Sequence, residues 1–404
     1  MNCTSSPLRV EYAGLTLQNP FLLASGPPTR DAQALERAFA AGWAGAVIKT
    51  VPSASLMNRG LTHEPRPLLA VARSGPRRIG MGNLSITGEW RISEWAKALP
   101  TLKARYPLAV VLGSIGAELI QEDWQTMARE VAAAGFDGIE LDLSCSHATL
   151  GRDERLIVGE EPELSARVVD WVKQVVTIPV IPKLPATVRD WSTMLQACRD
   201  AGAAGVASIN SLSAIVGVDL ETMEPLPNVN GYSTYCGYSG PGIKPIALRV
   251  VSQIHKVGLL PVSGIGGIAT WEDAAEFLLL GARCIQVCTA VMWGGFQIVQ
   301  RMTEGLEKYL KRQGMGTVDE LIGRANARIT DSVFRLKPDY RLVASITERC
   351  SSCGRCIVSC RDGGHEAILA QGTEKPLVDQ TRCVGCALCA QICPEHAIVL
   401  HPRQ

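Results

Sequence analysis

The sequence has almost no excess charge of either sign, because 40 lysines and arginines stand against 39 aspartates and glutamates, a formal net charge of +1. It has no uninterrupted run of 18 apolar residues, and even the apolar region 274–296 is broken by Glu276, Gly281 and Arg283. The N-terminus has no basic start followed by an apolar run, so we expect no signal peptide. These absences give no reason to expect a nucleic acid or a membrane as a partner, and we predict a soluble cytoplasmic protein.

A dinucleotide-binding fingerprint is also missing. Such a site needs G-x-G-x-x-G between a strand and a helix, and the glycine-rich stretch "SGIGGIAT" at 263–270 does not fit that spacing. We therefore expect NAD(H) to bind to a different chain.

Cysteine is abundant and unevenly placed. Eight of the fourteen cysteines lie from residue 350 onward, in "CSSCGRCIVSC" and "CVGCALCAQICP", and both runs read C-x-x-C-x-x-C-x-x-x-C. This is the bacterial two-cluster ferredoxin pattern, in which the fourth cysteine of each run ligates the other cluster. We therefore assign one 4Fe–4S cluster to Cys350, Cys353, Cys356 and Cys393, and the second to Cys360, Cys383, Cys386 and Cys389. Zinc is the alternative, but a zinc site would use two pairs of cysteines, which the three-plus-one spacing does not favour.

The region before these cysteines alternates short apolar runs with longer amphipathic stretches. Helix-like stretches such as 31–42, 121–135, 163–176 and 271–282 lie between most of the apolar runs. The runs are rich in Val, Ile and Leu, as strands buried on both faces are; they lie at 21–26, 45–50, 109–115, 138–144, 178–184, 205–210, 260–267 and 284–290. The alternation predicts parallel strands, and eight of them in about 270 residues favour a (β/α)8 TIM barrel, followed by an α+β ferredoxin domain.

Polar residues collect where these runs end, which is where barrel enzymes place their catalytic groups. The residues are Ser25, Gly26, Lys49, Thr50, Asp142, Ser144, Cys145, Lys183, Asn210, Ser211, Ser263, Gly264, Gly266, Gly267, Thr289 and Ala290. A lysine inside an apolar run is costly unless it is paired or binds an anion. Glycines before a helix start favour a phosphate site. Three plainer interpretations stay open: a surface lysine at a misjudged strand end, a βα turn that binds nothing, and a Cys145 that is only a small buried residue.

Several stretches resemble the FMN-binding barrel of the dihydroorotate and dihydropyrimidine dehydrogenases. They are "NPFLLASG", "GWAGAVIKT", "ELDLSCSH", "PVIPKLPATV", "SINSLSAI", "GYSGPGIKPIALR", "PVSGIGGIATWEDAAEFLLLGA" and "QVCTAVM". With the ferredoxin tail, the whole chain is similar to the catalytic subunits of bacterial NAD-dependent dihydropyrimidine dehydrogenases.

The resemblance implies roles for particular residues. The FMN phosphate would bind at Gly240, Gly266, Gly267, Thr289 and Ala290, and the flavin ring would lie near Ala24, Ser25, Lys49, Thr50, Lys183 and Asn210. The substrate would contact Asn83, Asp142, Ser144, Asn210 and Ser211. Cys145 would be the general acid. A thiol suits that role because it is mostly protonated at neutral pH and can still give up its proton in a transition state.

The resemblance also implies a reaction and partners. The family reduces the 5,6 double bond of uracil or thymine, with electrons passing through the clusters from a second subunit that binds FAD and NAD(H). It implies a homodimer within a heterotetramer. The alternatives are oxidation of dihydroorotate, a catalytically silent electron-carrying subunit, and reduction of a different unsaturated nitrogen heterocycle.

One departure from the family pattern bears on the last alternative: either the site adapts and uracil and thymine remain the substrates, or the true substrate is a related ring with a hydrogen-bond donor at this position. Where the motif reads N-L-S-C-P, this chain reads Asp142-Leu-Ser-Cys-Ser, so a substrate-contacting asparagine is replaced by a carboxylate. The expected domains are the FMN-binding barrel at 1–310, a connecting segment at 311–345 and the ferredoxin-like domain at 346–404.

Overall fold

A computed structural model describes residues 6–58, 66–85, 87–144, 157–336 and 341–403. The chain forms two compact units, Met1–Arg328 and Ile329–Gln404. The division between them falls inside the segment 311–345 that was expected to connect two domains.

The first unit is built on a closed barrel of eight parallel strands. Seven strand pairings run in order around the sheet, and the pairing of Gly45 with Val110 closes it. The strands are β1 (Phe21–Leu23), β2 (Gly45–Val47), β3 (Val110–Gly116), β4 (Gly138–Asp142), β5 (Val180–Leu184), β6 (Val206–Ser208), β7 (Val262–Ile265) and β8 (Ala282–Val287). Each overlaps one of the eight apolar runs, so the TIM-barrel prediction is confirmed.

A helix connects each barrel strand to the next, and one follows the last strand. The eight are α1 (Ala32–Ala41), α2 (Ile92–Arg105), α3 (Gln121–Ala134), α4 (Pro162–Lys173), α5 (Trp191–Asp200), α6 (Lys244–Val257), α7 (Trp271–Leu279) and α8 (Ile298–Arg312). Two shorter helices span Ala54–Asn58 and Thr289–Gly294. Within the described ranges, no helix combines the length and the apolar character needed to cross a membrane.

Local sequence signals fix several helix ends. Asp31 accepts a hydrogen bond from the backbone of Ala34 and caps α1, and Thr270 does the same for α7 with Asp273 completing a capping box. Gly135 ends α3 in the left-handed conformation that glycine adopts at least cost. The cap at Thr270 matters for function because it places the start of α7 directly after the glycine-rich loop that follows β7.

A second sheet, absent from the sequence prediction, is formed by two excursions from the barrel. Its four antiparallel strands are Leu69–Ser74, Arg77–Asn83, Leu212–Ala214 and Cys236–Ser239. The pairing of Asn83 with Gly237 joins excursions that are distant in sequence. Two hairpins complete the unit: Val10–Tyr12 with Leu15–Leu17, and Gly217–Asp219 with Glu224–Leu226.

The second unit is an α+β fold with very little apolar core. Strand Leu342–Ile346 pairs with Ile398–Pro402, and strand Ile368–Gln371 pairs with Glu374–Val378. The two helices span Arg355–Asp362 and Leu388–Ile392. Two of the five buried residues at its centre are cysteines; the five are Ala344, Cys356, Ile368, Cys389 and Ile398. A unit this small needs more than apolar packing to be stable.

Candidate active site

An open cleft of about 1150 Å³, including space open to solvent, lies at the carboxyl ends of the barrel strands. All eleven residues predicted to lie near FMN line it: Ala24, Ser25, Lys49, Thr50, Lys183, Asn210, Gly240, Gly266, Gly267, Thr289 and Ala290. Four of the five predicted substrate contacts line it as well: Asn83, Asp142, Asn210 and Ser211. The fifth, Ser144, is buried and its hydroxyl accepts a hydrogen bond from Asn210. Cys145 lies outside the described residues.

Backbone rather than side chain forms one end of the cleft. Gly240, Gly266 and Gly267 have φ angles of +91°, +127° and +78°, which disfavour any residue with a Cβ atom. A Cβ atom on Gly267 would also lie 2.9 Å from both the carbonyl oxygen of Gly240 and the nitrogen of Lys244. This bare backbone lets an anion approach closely, and the start of α7 follows within a few residues. The arrangement fits a phosphate group.

A buried ion pair lies at the cleft: Lys183 lines the cleft, and its partner Glu140 does not. The Lys183 ammonium lies 3.3 Å from Glu140 Oε1, and the side chain of Glu140 has no exposed surface. Gln286 donates a 2.9 Å hydrogen bond from Nε2 to Glu140 Oε2. Burial alone would lower the pKa of Lys183, but the charges of Glu140 and Asp142, with the contact to Glu140, raise it above its ordinary value. Lys183 is therefore a fixed positive charge at neutral pH.

Hydroxyl groups connect one wall of the cleft to Asp142. Thr50 Oγ1 lies 3.1 Å from Ser25 Oγ and 2.9 Å from Ser114 Oγ, and it donates to Asp142 Oδ2 at 3.3 Å. Because a hydroxyl has one proton, Thr50 can satisfy only one of these acceptors at a time. The wall is polar and its protons can be rearranged.

The amide of Asn210 is held on both sides. Its Nδ2 donates to Ser144 Oγ at 2.8 Å and to Asp142 Oδ1 at 3.5 Å, and its Oδ1 accepts from the backbone nitrogen of Ser211 at 2.9 Å. Asn83 reaches the same cleft from the second sheet, with Nδ2 donating to Gly237 O at 2.9 Å. The cleft thus presents amides in fixed orientations, as recognition of a small polar ring requires.

The second unit contains two separate cavities, and each is lined by four cysteines. Cys350, Cys353, Cys356 and Cys393 line one of them. Cys360, Cys383, Cys386 and Cys389 line the other. These are the two sets predicted from the spacing, three residues from one run and one from the other. Within the described residues, no three His, Cys, Asp or Glu side chains converge as ligands of a single metal ion would.

Backbone N–H groups point at the sulfur atoms of these cysteines. The nitrogens of Ala344, Ala367 and Ala397 lie 3.3–3.4 Å from the sulfurs of Cys383, Cys360 and Cys393. Hydrogen bonds of this kind stabilise thiolates that ligate iron.

Family models agree with both halves of the chain. Residues 7–310 match the dihydroorotate dehydrogenase model, and residues 344–400 match the 4Fe-4S dicluster domain. The chain belongs to the dihydroorotate dehydrogenase family of oxidoreductases. The predicted resemblance is confirmed.

Relatives in the dihydroorotate dehydrogenase family match different shares of this chain. The NAD-dependent dihydropyrimidine dehydrogenase subunit PreA of Escherichia coli (strain K12) is 38% identical over 97% of this chain and 95% of its own length. The chloroplastic dihydropyrimidine dehydrogenase (NADP(+)) of Arabidopsis thaliana is 32% identical over 79% of this chain and 76% of its own. The catalytic subunit of dihydroorotate dehydrogenase B (NAD(+)) of Pyrococcus furiosus is 35% identical over 79% of this chain and 98% of its own. Nearly the whole Pyrococcus relative therefore aligns with 79% of this chain, and it has no counterpart of the remaining fifth.

Sequence reasoning missed two polar residues that lie buried in the barrel of the first unit. Glu140 lies inside β4 and Gln286 inside β8, and both are almost completely buried. The argument that singled out Lys183, a polar residue inside an apolar run, applies equally to these two. It would have identified the carboxylate that pairs with Lys183.

Proposed function

We propose that this protein reduces the 5,6 double bond of a pyrimidine base, with electrons from NAD(H) delivered by a partner flavoprotein through two 4Fe–4S clusters. One observation carries the proposal: a single chain combines the barrel cleft with two cavities of four cysteines each. A site for ring chemistry and a route for single electrons are both needed when the reductant binds to another chain.

The cleft residues fit FMN. The glycine backbone at Gly266 and Gly267 suits its phosphate, and the polar wall at Ser25 and Thr50 suits its ring edge. Lys183 would supply a positive charge that stabilises a reduced, anionic flavin. Bound FMN would supply hydride transfer to one carbon of the double bond.

This chain's own residues account for the remaining requirements. Asn83, Asn210 and Ser211 orient the ring, since all three line the cleft, Asn83 from the second sheet and the other two from the segment after β6. Cys145 gives a proton to the second carbon, so that the ring gains two electrons and two protons in all. The proposal for Cys145 rests on its position three residues after Asp142, the last residue of β4, and on the chemistry of a thiol.

The cysteine ligands are proposed in the two sets that line the cavities. FAD and NAD(H) are expected on the partner chain, within a heterotetramer that contains a homodimer of this one. The Escherichia coli relative supports a partner subunit. It is named as a subunit, and this chain matches 95% of its length.

Oxidation of dihydroorotate is the second candidate, supported by the Pyrococcus relative. The cluster unit favours pyrimidine reduction over it, since that relative is matched over 98% of its length by only 79% of this chain. A silent electron-carrying subunit is disfavoured by the many polar side chains that line the cleft.

The test is an anaerobic assay of the full-length chain together with its partner, with NADH as donor and uracil, thymine or orotate as acceptor. Formation of the 5,6-dihydro base is measured by chromatography. We expect NADH oxidation that depends on uracil or thymine. Reduction of orotate by NADH, or oxidation of dihydroorotate by NAD+, without activity on uracil or thymine would instead support the second candidate.

A further inference from the structure

Asp142 places an acceptor on the wall of the cleft. It is the last residue of β4, only 7% exposed, and it lines the space where the ring is proposed to bind. A carboxylate can accept hydrogen bonds but cannot donate them. Any ring atom that contacts Asp142 favourably must therefore carry a proton.

The described residues satisfy this carboxylate only weakly. Among them, its donors are the Thr50 hydroxyl at 3.3 Å, the Ser144 hydroxyl at 3.4 Å and the Asn210 amide at 3.5 Å. Hydrogen bonds to a carboxylate are usually about 2.5–2.9 Å long. Two of these donors also have nearer acceptors: Thr50 lies 2.9 Å from Ser114, and Asn210 lies 2.8 Å from Ser144. Both carboxylate oxygens thus keep capacity for a stronger donor.

The neighbouring cation does not remove this capacity. Lys183 stands beside Asp142 in the β4–β5 register, and its ammonium forms its ion pair with Glu140 at 3.3 Å. Lys183 therefore offsets the charge of Asp142 at a distance and leaves its oxygens open to a ligand.

We propose that Asp142 selects rings that present two adjacent N–H donors, the edge of a 2-amino-4-oxopyrimidine, over rings that present one N–H beside a carbonyl. This inference rests on the proposed reduction of a ring in this cleft. Two parallel N–H groups match the two oxygens of a carboxylate. A carbonyl beside a single N–H, as in uracil, sets one acceptor against another and leaves it unpaired.

The experiment compares 2-amino-4-oxopyrimidine with uracil on the full-length, FMN-loaded protein. Equilibrium binding is followed by the change in flavin absorbance, and kcat/KM is measured for each ring. We expect the parent to bind the amino ring ~10–100-fold more tightly than uracil. Asp142→Asn should remove or reverse that preference, because an amide can also donate to a carbonyl. Asp170→Asn, on the exposed outer side of α4, is the matched control and should leave the ratio unchanged.

The outcomes separate the inference from the proposed function. Tighter binding of uracil than of the amino ring in the parent overturns the inference, whether or not either ring is reduced. Tighter binding of the amino ring, with no reduction of either ring by a flavin that is itself reducible, supports the selectivity and overturns the proposed function. If Asp142→Asn fails to retain FMN, the ratio measured in the parent decides the matter alone.

Discussion

Lys183 keeps its positive charge because of a residue that does not touch the cleft. Glu140 is fully buried, so solvent does not reach it. Its Oε1 faces Lys183, and its Oε2 accepts a hydrogen bond from Gln286, which fixes the side chain in place. The net contribution of the pair to the free energy of unfolding is small, because desolvating two charges offsets most of their attraction. Its main effect is to keep the Lys183 ammonium charged at the cleft.

Removing the Glu140 carboxylate while keeping Lys183 should strongly destabilise the fold. We expect Glu140→Gln to lower the free energy of unfolding by ~3–5 kcal/mol, because the Lys183 ammonium stays buried without its partner. Urea denaturation measures this, and Glu130→Gln, at an exposed position of α3, is the control. A loss no larger than that of the control would show that Lys183 finds another partner.

The pH dependence of the pair has a definite sign. The folded-state pKa of Lys183 is raised, so the stability it contributes is fully present below the unfolded value of 10.5. It is lost as the pH rises through the higher folded-state pKa. We therefore expect the contribution of the pair to the parent's stability to hold from pH 7 to 9 and to be lost only in strongly alkaline solution. In Glu140→Gln, burial without this carboxylate lowers the pKa of Lys183, so the stability difference between parent and variant, measured by urea denaturation, should begin to shrink at a lower pH.

Cys145 and Cys288 are the two candidates for the proposed proton donor. Burial raises the pKa of Cys288 to about 11, against the opposing effect of Lys49 and Lys183, and Cys288 lines the cleft. We expect Cys145→Ser to slow ring reduction by ~10²–10⁴-fold while FMN remains bound and reducible. Cys288→Ser is the companion variant, and a comparable loss in it with little effect in Cys145→Ser would transfer the role to Cys288. Stopped-flow absorbance of the flavin separates its reduction from its reoxidation by the ring.

Among the strands, those of the barrel, which are buried on both faces, were predictable and those of the second sheet were not. All eight barrel strands could be located from their apolar runs, since burial on both faces leaves a continuous signal. The second sheet could not, because strands such as Arg77–Asn83 mix arginine and glycine and gain their partners from distant excursions. Asn83 was assigned to the site by resemblance alone, and its place beside Gly237 depends on that unpredicted sheet.

The glycine-rich loop after β7 allows a direct test of the FMN site. We expect Gly267→Ala to weaken FMN binding at least tenfold, because the added Cβ atom would displace Gly240 or Lys244. Gly314→Ala is the matched control, since Gly314 has a similar φ of +68° and no atom within 4 Å of the new Cβ position. FMN affinity is measured by reconstitution of the apoprotein, with fluorescence as the readout. Equal effects of both substitutions would mean that backbone strain, and not the cleft, is responsible.

For the whole molecule, the division at residue 328 predicts separable activities. We expect a chain ending at Arg328 to bind FMN and to reduce the ring with an artificial one-electron donor, but to lose NADH-linked turnover. The full-length protein, purified without air, should contain about eight irons, from two clusters of four. NADH-linked activity in the truncated chain, with the partner present, would contradict the proposed electron route.

The cysteine arrangement makes a further prediction about iron content. Cys393 lies in the second run but lines the cavity of the first, so Cys393→Ala should release iron from the set Cys350, Cys353 and Cys356. Iron analysis with electron paramagnetic resonance of the remaining cluster would check this. Selective loss of the cluster held by Cys383, Cys386 and Cys389 would overturn the crossed assignment.

In the second unit, strand Leu342–Ile346 pairs with strand Ile398–Pro402, and this pairing makes a circular permutation of the unit feasible. Leu342 stands opposite Pro402 and Ile346 opposite Ile398, so the first and last strands of this fold lie side by side. A module whose ends meet can be joined to a host, removed from it or circularly permuted without stretching its interior. The Pyrococcus relative, matched over nearly its whole length by 79% of this chain, fits a host without such an attachment. Joining residue 402 to residue 342 by a short linker, with new ends opened at the Gln371–Glu374 turn, should therefore give a permuted module that still assembles both clusters.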